Sequence, residues 1–144
     1  MDFTLTIPGT PQQLPRSFED MGKVRAALVQ FGMAFESPAP EFPESDHLTG
    51  ADYCPAGLPR SLAAVLYERA RLHALTEHGD FDDPAIPSHK LASADGWRVT
   101  AGECAAAVTA FDAARMLGLA RPAALDDEVV AFLRAAAALE GCRV

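Results

Sequence analysis

The spacing of apolar residues along the chain predicts one short strand followed by four helices. At the N terminus, Phe3, Leu5 and Ile7 alternate with threonines, which indicates a half-buried strand that Pro8-Gly9 ends. Four later segments repeat apolar residues at the three- and four-residue spacing of one helix face. The predicted helices cover residues 18–35, 59–78, 101–117 and 127–140.

Capping residues support three of the four helix starts. Ser17, Thr100 and Asp126 each stand directly before a helical pattern, where a side-chain oxygen accepts backbone N–H groups that the first turn leaves free. Thr100 and Glu103 have the spacing of a capping box, in which each side chain bonds the backbone N–H of the other residue. Gly118 predicts the end of the helix that begins there.

The second helix has a clear apolar stripe but weaker end signals. Pro59 suits its first position, and Gly79 suits its C-terminal cap. Helical geometry places six residues on one face of it: Leu62, Val65, Leu66, Arg69, Leu72 and His73. We expect His73 to pack at the edge of this apolar stripe.

Residues 89–99 predict a small β-hairpin. Asp95-Gly96 is a turn dipeptide that separates residues 90–92 from residues 97–99. Trp97, the one tryptophan of the chain, is expected to fill the core rather than to form a ligand platform.

Together these elements predict a mostly helical α+β fold with about four helices, a small β-hairpin and a short N-terminal strand. Residues 10–16, which include Pro11 and Pro15, are expected to form a loop. No linker is long enough to mark a second domain, so residues 1–144 are predicted to form a single compact domain. The 28 alanines favour helices that approach one another closely and bury little area per residue.

The charge balance is strongly acidic. Twelve Lys and Arg against twenty Asp and Glu give a formal net charge of −8, which repels nucleic-acid phosphates and anionic membranes, so we expect neither as a partner. The chain start lacks a secretory pattern, and three scattered cysteines fit a reducing compartment, so we expect a cytoplasmic location. Ten Arg against two Lys, with abundant alanine, indicate a GC-rich bacterial or phage genome.

Two of the cysteines lead to opposite expectations. Cys104 follows Val99 at the spacing of a hydrophobic staple, so it is expected to face the core and to resist thiol reagents. Cys142 lies close to the C terminus, where chain ends fray, so it is expected to react quickly.

Two acidic segments flank the second helix and supply the candidate binding residues. Residues 26–59 contain no Lys or Arg and are interrupted by five prolines, and a second acidic cluster covers residues 77–83. Irregular acidic segments between folded elements are common positions for binding loops. The candidate binding residues are Glu41, Glu44, Asp46, His47, Asp52, Glu77, Asp80, Asp82 and Asp83.

None of these residues forms an established catalytic or metal-binding motif. His73 and His78 are five residues apart, so an intact helix turns them about 140° away from each other, and they cannot share one zinc ion. Asp80 and Asp82 have the spacing of calcium ligands, but Pro84 follows where a third ligand belongs. No nucleophile elbow, Cys-x-x-Cys pair or phosphate-binding glycine loop is present. The sequence therefore predicts no catalytic residue, no metal and no cofactor.

The leading hypothesis is a small acidic cytosolic protein that binds another macromolecule, namely a protein with a basic surface. Regulator, inhibitor, antitoxin and immunity roles all fit this hypothesis. A second hypothesis is a small hydrolase that joins a histidine (His47, His73, His78 or His89) to a carboxylate, or His47 to Cys54. A third is a divalent-cation-binding module on residues 80–83, and a fourth is a structural subunit of a phage or other assembly. The acidic surplus and the missing catalytic motifs favour the binding protein.

Overall fold

The computed structural model describes residues 2–144, and these residues form an α+β fold. The described residues contain four α-helices: α1 (Phe18–Gln30), α2 (Leu62–Thr76), α3 (Ala101–Met116) and α4 (Asp127–Ala138). The strands are β1 (Asp2–Thr6), β2 (Gln13–Ser17), β3 (Ala34–Phe35), β4 (Ile86–Pro87), β5 (Arg98–Val99) and β6 (Cys142–Arg143). The predicted fold class and its four helices are confirmed.

The chain divides into two compact units. The large unit consists of residues 1–39 and 78–144, and the second unit, called the insert below, consists of residues 40–77. All six strands and the helices α1, α3 and α4 belong to the large unit, whereas the insert contains α2 and a 3-10 turn at Gly50–Asp52. The organisation of residues 1–144 as a single domain stays a prediction.

A four-stranded antiparallel sheet with the order β2-β1-β6-β5 lies in the large unit. Its strand β1 confirms the predicted N-terminal strand, but the loop predicted over residues 10–16 is wrong. From Gln13 onward the chain forms β2, which pairs with β1 so that Pro15 lies opposite Thr4. Proline is tolerated there because β2 is an edge strand. No further strand of the described residues lies on its outer side, so the missing N–H group of proline costs no hydrogen bond of the sheet on that side.

Residues 89–99, all of them described, do not form the expected hairpin; the hairpin of this fold is β1–β2. Ser88–Leu91 forms a 3-10 helix instead, and β5 pairs with the C-terminal strand β6. Gly141 permits that pairing because its φ is 78° and a Cβ atom on it would lie 2.1 Å from the carbonyl oxygen of Val99. Only glycine lets the backbone before β6 pass this close to the start of α3.

Helix α1 ends at Gln30, five residues earlier than predicted. Gly32 has a φ of 74°, and the N–H groups of Gly32 and Met33 bond back to carbonyls of the last helical turn at 3.2 and 2.9 Å. These two bonds close a Schellman motif, which ends the helix although the apolar spacing continues. Phe35 therefore lies in β3, which pairs in parallel with β4.

The predicted capping residues of α1, α3 and α4 are confirmed. Ser17 accepts the N–H of Asp20 at 3.1 Å, and Asp126 accepts the N–H of Val129 at 3.0 Å. At α3 both bonds of the capping box form: the Thr100 hydroxyl accepts the N–H of Glu103 at 3.1 Å, and the Glu103 carboxylate accepts the N–H of Thr100 at 2.8 Å. These starts depend on neighbouring residues only, which is why the sequence predicts them correctly.

The main hydrophobic core lies entirely in the large unit. The sheet supplies Phe3, Leu5 and Leu14, and the helices add Met21, Val24, Leu28, Phe111, Val129, Phe132 and Leu133, among others. Trp97 is buried, as predicted. Cys104 is buried as well, but the expectation of an exposed Cys142 is wrong, because β6 carries this residue into the core beside Cys104. Pairing with β1 and β5 keeps this end of the chain from fraying.

A buried charge cluster joins three distant parts of the large unit. The ammonium group of Lys90 is fully buried and donates to both carboxylate oxygens of Glu103, at 2.8 and 3.1 Å, and to the carbonyl of Arg98 at 2.8 Å. On its other side Glu103 meets Nδ1 of His78 at 2.9 Å, while Nε2 of His78 lies against the carbonyl of Asp83. Both ring nitrogens of His78 thus lie within hydrogen-bonding distance of oxygen atoms of the large unit.

Candidate functional site

The apolar stripe of α2 faces solvent. The helix begins after the N-cap Ser61 rather than at Pro59, and it ends at Thr76, so Gly79 is not its cap. Leu62 is 74% exposed and Leu66 is 54% exposed, and the side chain of His73 is 77% exposed. The expectation that His73 packs at the edge of a buried stripe is therefore wrong.

The buried positions of α2 lie on the opposite side of the helix from this stripe. They are Ala64, Ala74 and Leu75. At about 100° per residue, Ala64 and Leu75 are turned about 200° and 220° around the axis from Leu62. Two alanines and Leu75 thus occupy the shielded side of α2, and Leu62, Leu66 and Leu72 occupy the exposed side.

The 3-10 turn of the insert is tied to the N terminus of α2. The Asp52 carboxylate accepts the hydroxyl of Ser61 at 2.6 Å and the backbone N–H of Thr49 at 2.7 Å. The bond from Ser61, followed by that from Thr49, lowers the pKa of Asp52 below its ordinary value. Ser61 in turn accepts the N–H of Ala64 at 3.1 Å, so Asp52 orients the residue that caps α2.

A second link inside the insert runs from Tyr53 to the middle of α2. The Tyr53 hydroxyl donates to the Glu68 carboxylate at 3.0 Å. Partial burial, and then this hydrogen bond, raise the pKa of Tyr53 above its ordinary value. Tyr53 also forms a bridge with Pro59, and the intervening turn carries Leu58, which is 64% exposed.

The candidate residues of the insert divide into two groups. Glu41, Glu44, Asp46 and His47 are exposed, and none of them forms a hydrogen bond or ion pair with another described residue. Asp52 and Glu77 have local partners instead: Asp52 holds Thr49 and Ser61, and Glu77 lies 3.2 Å from Nε2 of His73. The first group is therefore free to meet a partner, whereas the second contributes to the structure of the insert.

The remaining candidates, Asp80, Asp82 and Asp83, are exposed residues of the large unit. Asp83 accepts the backbone N–H of Ala85 at 2.9 Å, which orders the turn before β4. Within residues 2–144, no three His, Cys, Asp or Glu side chains lie together in a way that suits a metal ion.

The four histidines have four different surroundings. His47 is exposed and does not hydrogen-bond to Cys54, and His73 pairs with Glu77 on the surface. His78 belongs to the buried charge cluster. His89 is buried, and its Nδ1 lies 2.8 Å from the hydroxyl oxygen of Ser37. His89 also lines a cavity of the large unit.

That cavity is an open groove of about 590 Å³ in the large unit. Its walls come from α1, from the residues after β3 and from the residues after β4, and they include Arg25, Glu36, Ser37, Ser88 and His89. Sequence reasoning missed Arg25, Ser37 and Ser88, because residues 37 and 89 meet only through the parallel pairing of β3 with β4. It also missed the exposed leucines, since periodicity does not tell which side of a helix is covered.

Comparison with protein-family models, curated proteins and solved structures finds no match to this chain. No helix of the described residues combines the length and the apolar character that crossing a membrane requires.

Proposed function

We propose that the protein acts by binding another protein, and that the exposed apolar face of α2 is the contact surface. The observation that carries this proposal is the exposure of Leu62, Leu66 and Leu72 on one helix face. Leu58 extends the apolar surface beyond the N terminus of the helix. Apolar faces of this kind commonly serve as docking surfaces, since leaving them in water costs free energy that a partner removes.

The partner that fits this surface is an amphipathic protein segment with apolar side chains flanked by Lys or Arg. The insert carries three exposed carboxylates without a described partner, Glu41, Glu44 and Asp46, and the chain has a formal net charge of −8. The insert also carries exposed arginines, Arg60 shortly before α2 and Arg69 and Arg71 within it, so the basic residues of the partner belong beside the three carboxylates. Regulators, inhibitors, antitoxins and immunity proteins use surfaces of this type, in the cytoplasm of a bacterium or an infected cell.

The test measures binding of a purified partner, first isolated on the immobilised protein, to matched variants. Leu62→Glu/Leu66→Glu places two charges in the proposed interface, and we expect it to weaken binding at least about 30-fold. Met116→Glu/Leu117→Glu changes two even more exposed apolar residues at the end of α3 and should bind as the wild type does. Equal binding by the first variant would contradict the docking surface.

A charge variant tests the chemistry of the partner. Glu41→Gln/Glu44→Gln/Asp46→Asn should slow association at low salt and lose this effect at high salt, because exposed charges act chiefly on the encounter rate. An unchanged association rate would mean that these carboxylates are only solvated. A different result would be that the wild-type protein forms a dimer and that the substitutions Leu62→Glu/Leu66→Glu dissociate it. That result would identify a second copy of the chain as the occupant and would overturn the proposal of a basic partner.

A further inference from the structure

A serine and a histidine meet at the floor of the groove in the large unit. Strands β3 and β4 are parallel, so their carboxyl ends lie at the same edge, and the next residues of the two segments approach each other there. The backbone N–H of Ser37 donates to the hydroxyl of Ser88 at 3.1 Å, and the backbone N–H of His89 lies 3.3 Å from the hydroxyl oxygen of Ser37. Carboxyl ends of neighbouring parallel strands are frequent positions for ligand sites.

The contact between Ser37 and His89 has the geometry of a nucleophile and its base. The Ser37 hydroxyl oxygen lies 2.8 Å from Nδ1 of His89. Because that oxygen already accepts from the backbone of His89, its own hydrogen is available to Nδ1 when the ring is in the tautomer that leaves Nδ1 unprotonated. A serine becomes nucleophilic when an adjacent imidazole nitrogen removes its proton.

The imidazole is held in place from its other side. The ring of His89 packs edge-on against Trp97, with 4.9 Å between centroids. Trp97 is fixed in turn, because its indole N–H donates to the hydroxyl of Ser93 at 2.9 Å and Ser93 donates to Asp95 at 2.6 Å. A base that is held in orientation loses little freedom when it accepts a proton, which favours the transfer.

The groove also offers charges for recognition. Arg25 and Glu36 both line it, and neither forms an ion pair with a described residue. A smaller cavity of about 250 Å³ on the α1 side shares Arg25, Glu36 and Ser88 with it. A guanidinium that is free of a carboxylate partner is a natural site for an anionic group of a ligand.

From this geometry we propose that the groove is an ester-hydrolysing site, in which Ser37 is the nucleophile, His89 is the base and Arg25 binds a carboxylate of the substrate. Ser37 Oγ attacks the ester carbonyl while its proton moves to His89 Nδ1. The C–O bond then breaks, and the departing alcohol takes that proton. Water next attacks the acyl-enzyme, its proton passes to His89 and then to Ser37, and the carboxylic acid leaves. The site is independent of the docking surface on α2.

Covalent labelling tests the nucleophile. We expect a fluorophosphonate probe to modify the wild-type protein at Ser37, as located by peptide mass spectrometry. His89→Gln should slow this labelling at least tenfold, and Ser45→Ala, which removes an exposed serine of the insert, should not change it. Absence of a Ser37 adduct on the wild-type protein would overturn the proposal, whether or not the variants fold. An equal rate in a folded His89→Gln variant would also overturn it.

Turnover of two matched esters tests the substrate class. Mono(4-nitrophenyl) succinate carries a free carboxylate, and 4-nitrophenyl acetate does not. We expect the wild-type protein to prefer the succinate ester, Arg25→Gln to raise its KM at least tenfold with kcat retained, and Ser37→Ala to reduce hydrolysis of both to the uncatalysed rate. Wild-type rates in folded Ser37→Ala would refute the nucleophile, and an unchanged KM in Arg25→Gln would refute the role of Arg25.

Discussion

Helices α2 and α3 have nearly the same length, 15 and 16 residues, and each has a side-chain hydroxyl cap, yet they use their apolar residues in opposite ways. Helix α3 buries Cys104, Ala107 and Phe111 in the main core. Helix α2 turns Leu62 and Leu66 to solvent, and its buried positions are two alanines and Leu75. The comparison shows that periodicity tells which residues share a face, while the surroundings decide whether that face is covered.

The two helices also differ in their charges. Glu103 in the first turn of α3 is buried, and it ties the helix to Lys90 and His78. Arg69 and Arg71 of α2 are exposed, and Glu68 of this helix accepts one local hydrogen bond, from Tyr53. The start of α3 is therefore part of the core, whereas α2 presents much of its side-chain surface to solvent.

Truncating one apolar side chain on each helix should give the largest difference. Phe111→Ala removes a buried ring from α3 and should lower the free energy of unfolding by about 3–5 kcal/mol. Leu62→Ala on α2 should change it by less than about 0.5 kcal/mol, since this side chain is already in water. Urea unfolding measures both values. Similar losses in the two variants would mean that the apolar face of α2 is covered in solution.

Breaking the charge cluster at α3 should have the next largest effect. Lys90→Met leaves the carboxylate of Glu103 buried without its ammonium partner and should cost about 3 kcal/mol. The double variant Lys90→Met/Glu103→Gln removes the stranded charge and should recover part of this loss. As a control, Lys23→Met removes an exposed partner of Glu19 and should leave the urea midpoint in place. If the double variant is less stable than Lys90→Met, the buried pair is contradicted.

Thiol labelling compares the exposure of a cysteine in the insert with that of two cysteines in the core. Cys54 is partly exposed, whereas Cys104 and Cys142 are buried. The hydrogen bond with Cys104, and then burial, raise the pKa of the Cys142 thiol above its ordinary value, so the reactive thiolate stays scarce even at pH about 9. We expect Cys54 to react at least about 100-fold faster than the other two, as followed by mass spectrometry. Rapid native labelling of Cys142 would show that β6 detaches from the sheet.

The smallest expected effect concerns the cap of α3. Thr100→Ala removes the oxygen that accepts the N–H of Glu103 and should cost about 1 kcal/mol. Thr100→Ser keeps that oxygen and should retain most of the stability, which separates the cap from the packing of the methyl group. An unchanged urea midpoint for Thr100→Ala would place the start of α3 elsewhere.

Local signals determined most of the elements. The alternation at residues 3–7 predicts β1, and the caps at Ser17, Thr100 and Asp126 predict where three helices begin, because each signal acts within a few residues. The same reasoning failed where a local rule was overridden. Pro15 argues against a strand at β2, but an edge position in the sheet tolerates proline. Gly32 ends α1 although the apolar spacing continues.

The sequence by itself thus determined the α+β class, the number of helices and the negative net charge. Only the tertiary structure decided which faces are covered and which distant residues meet. Lys90 and Glu103 are 13 residues apart, and Ser37 and His89 are 52 residues apart, so no local pattern marks either pair. The physical reason is that helix and turn signals are short-range, whereas burial and chemical contact depend on where the chain returns. Cys142 is an example, since it is buried because β6 pairs with β5.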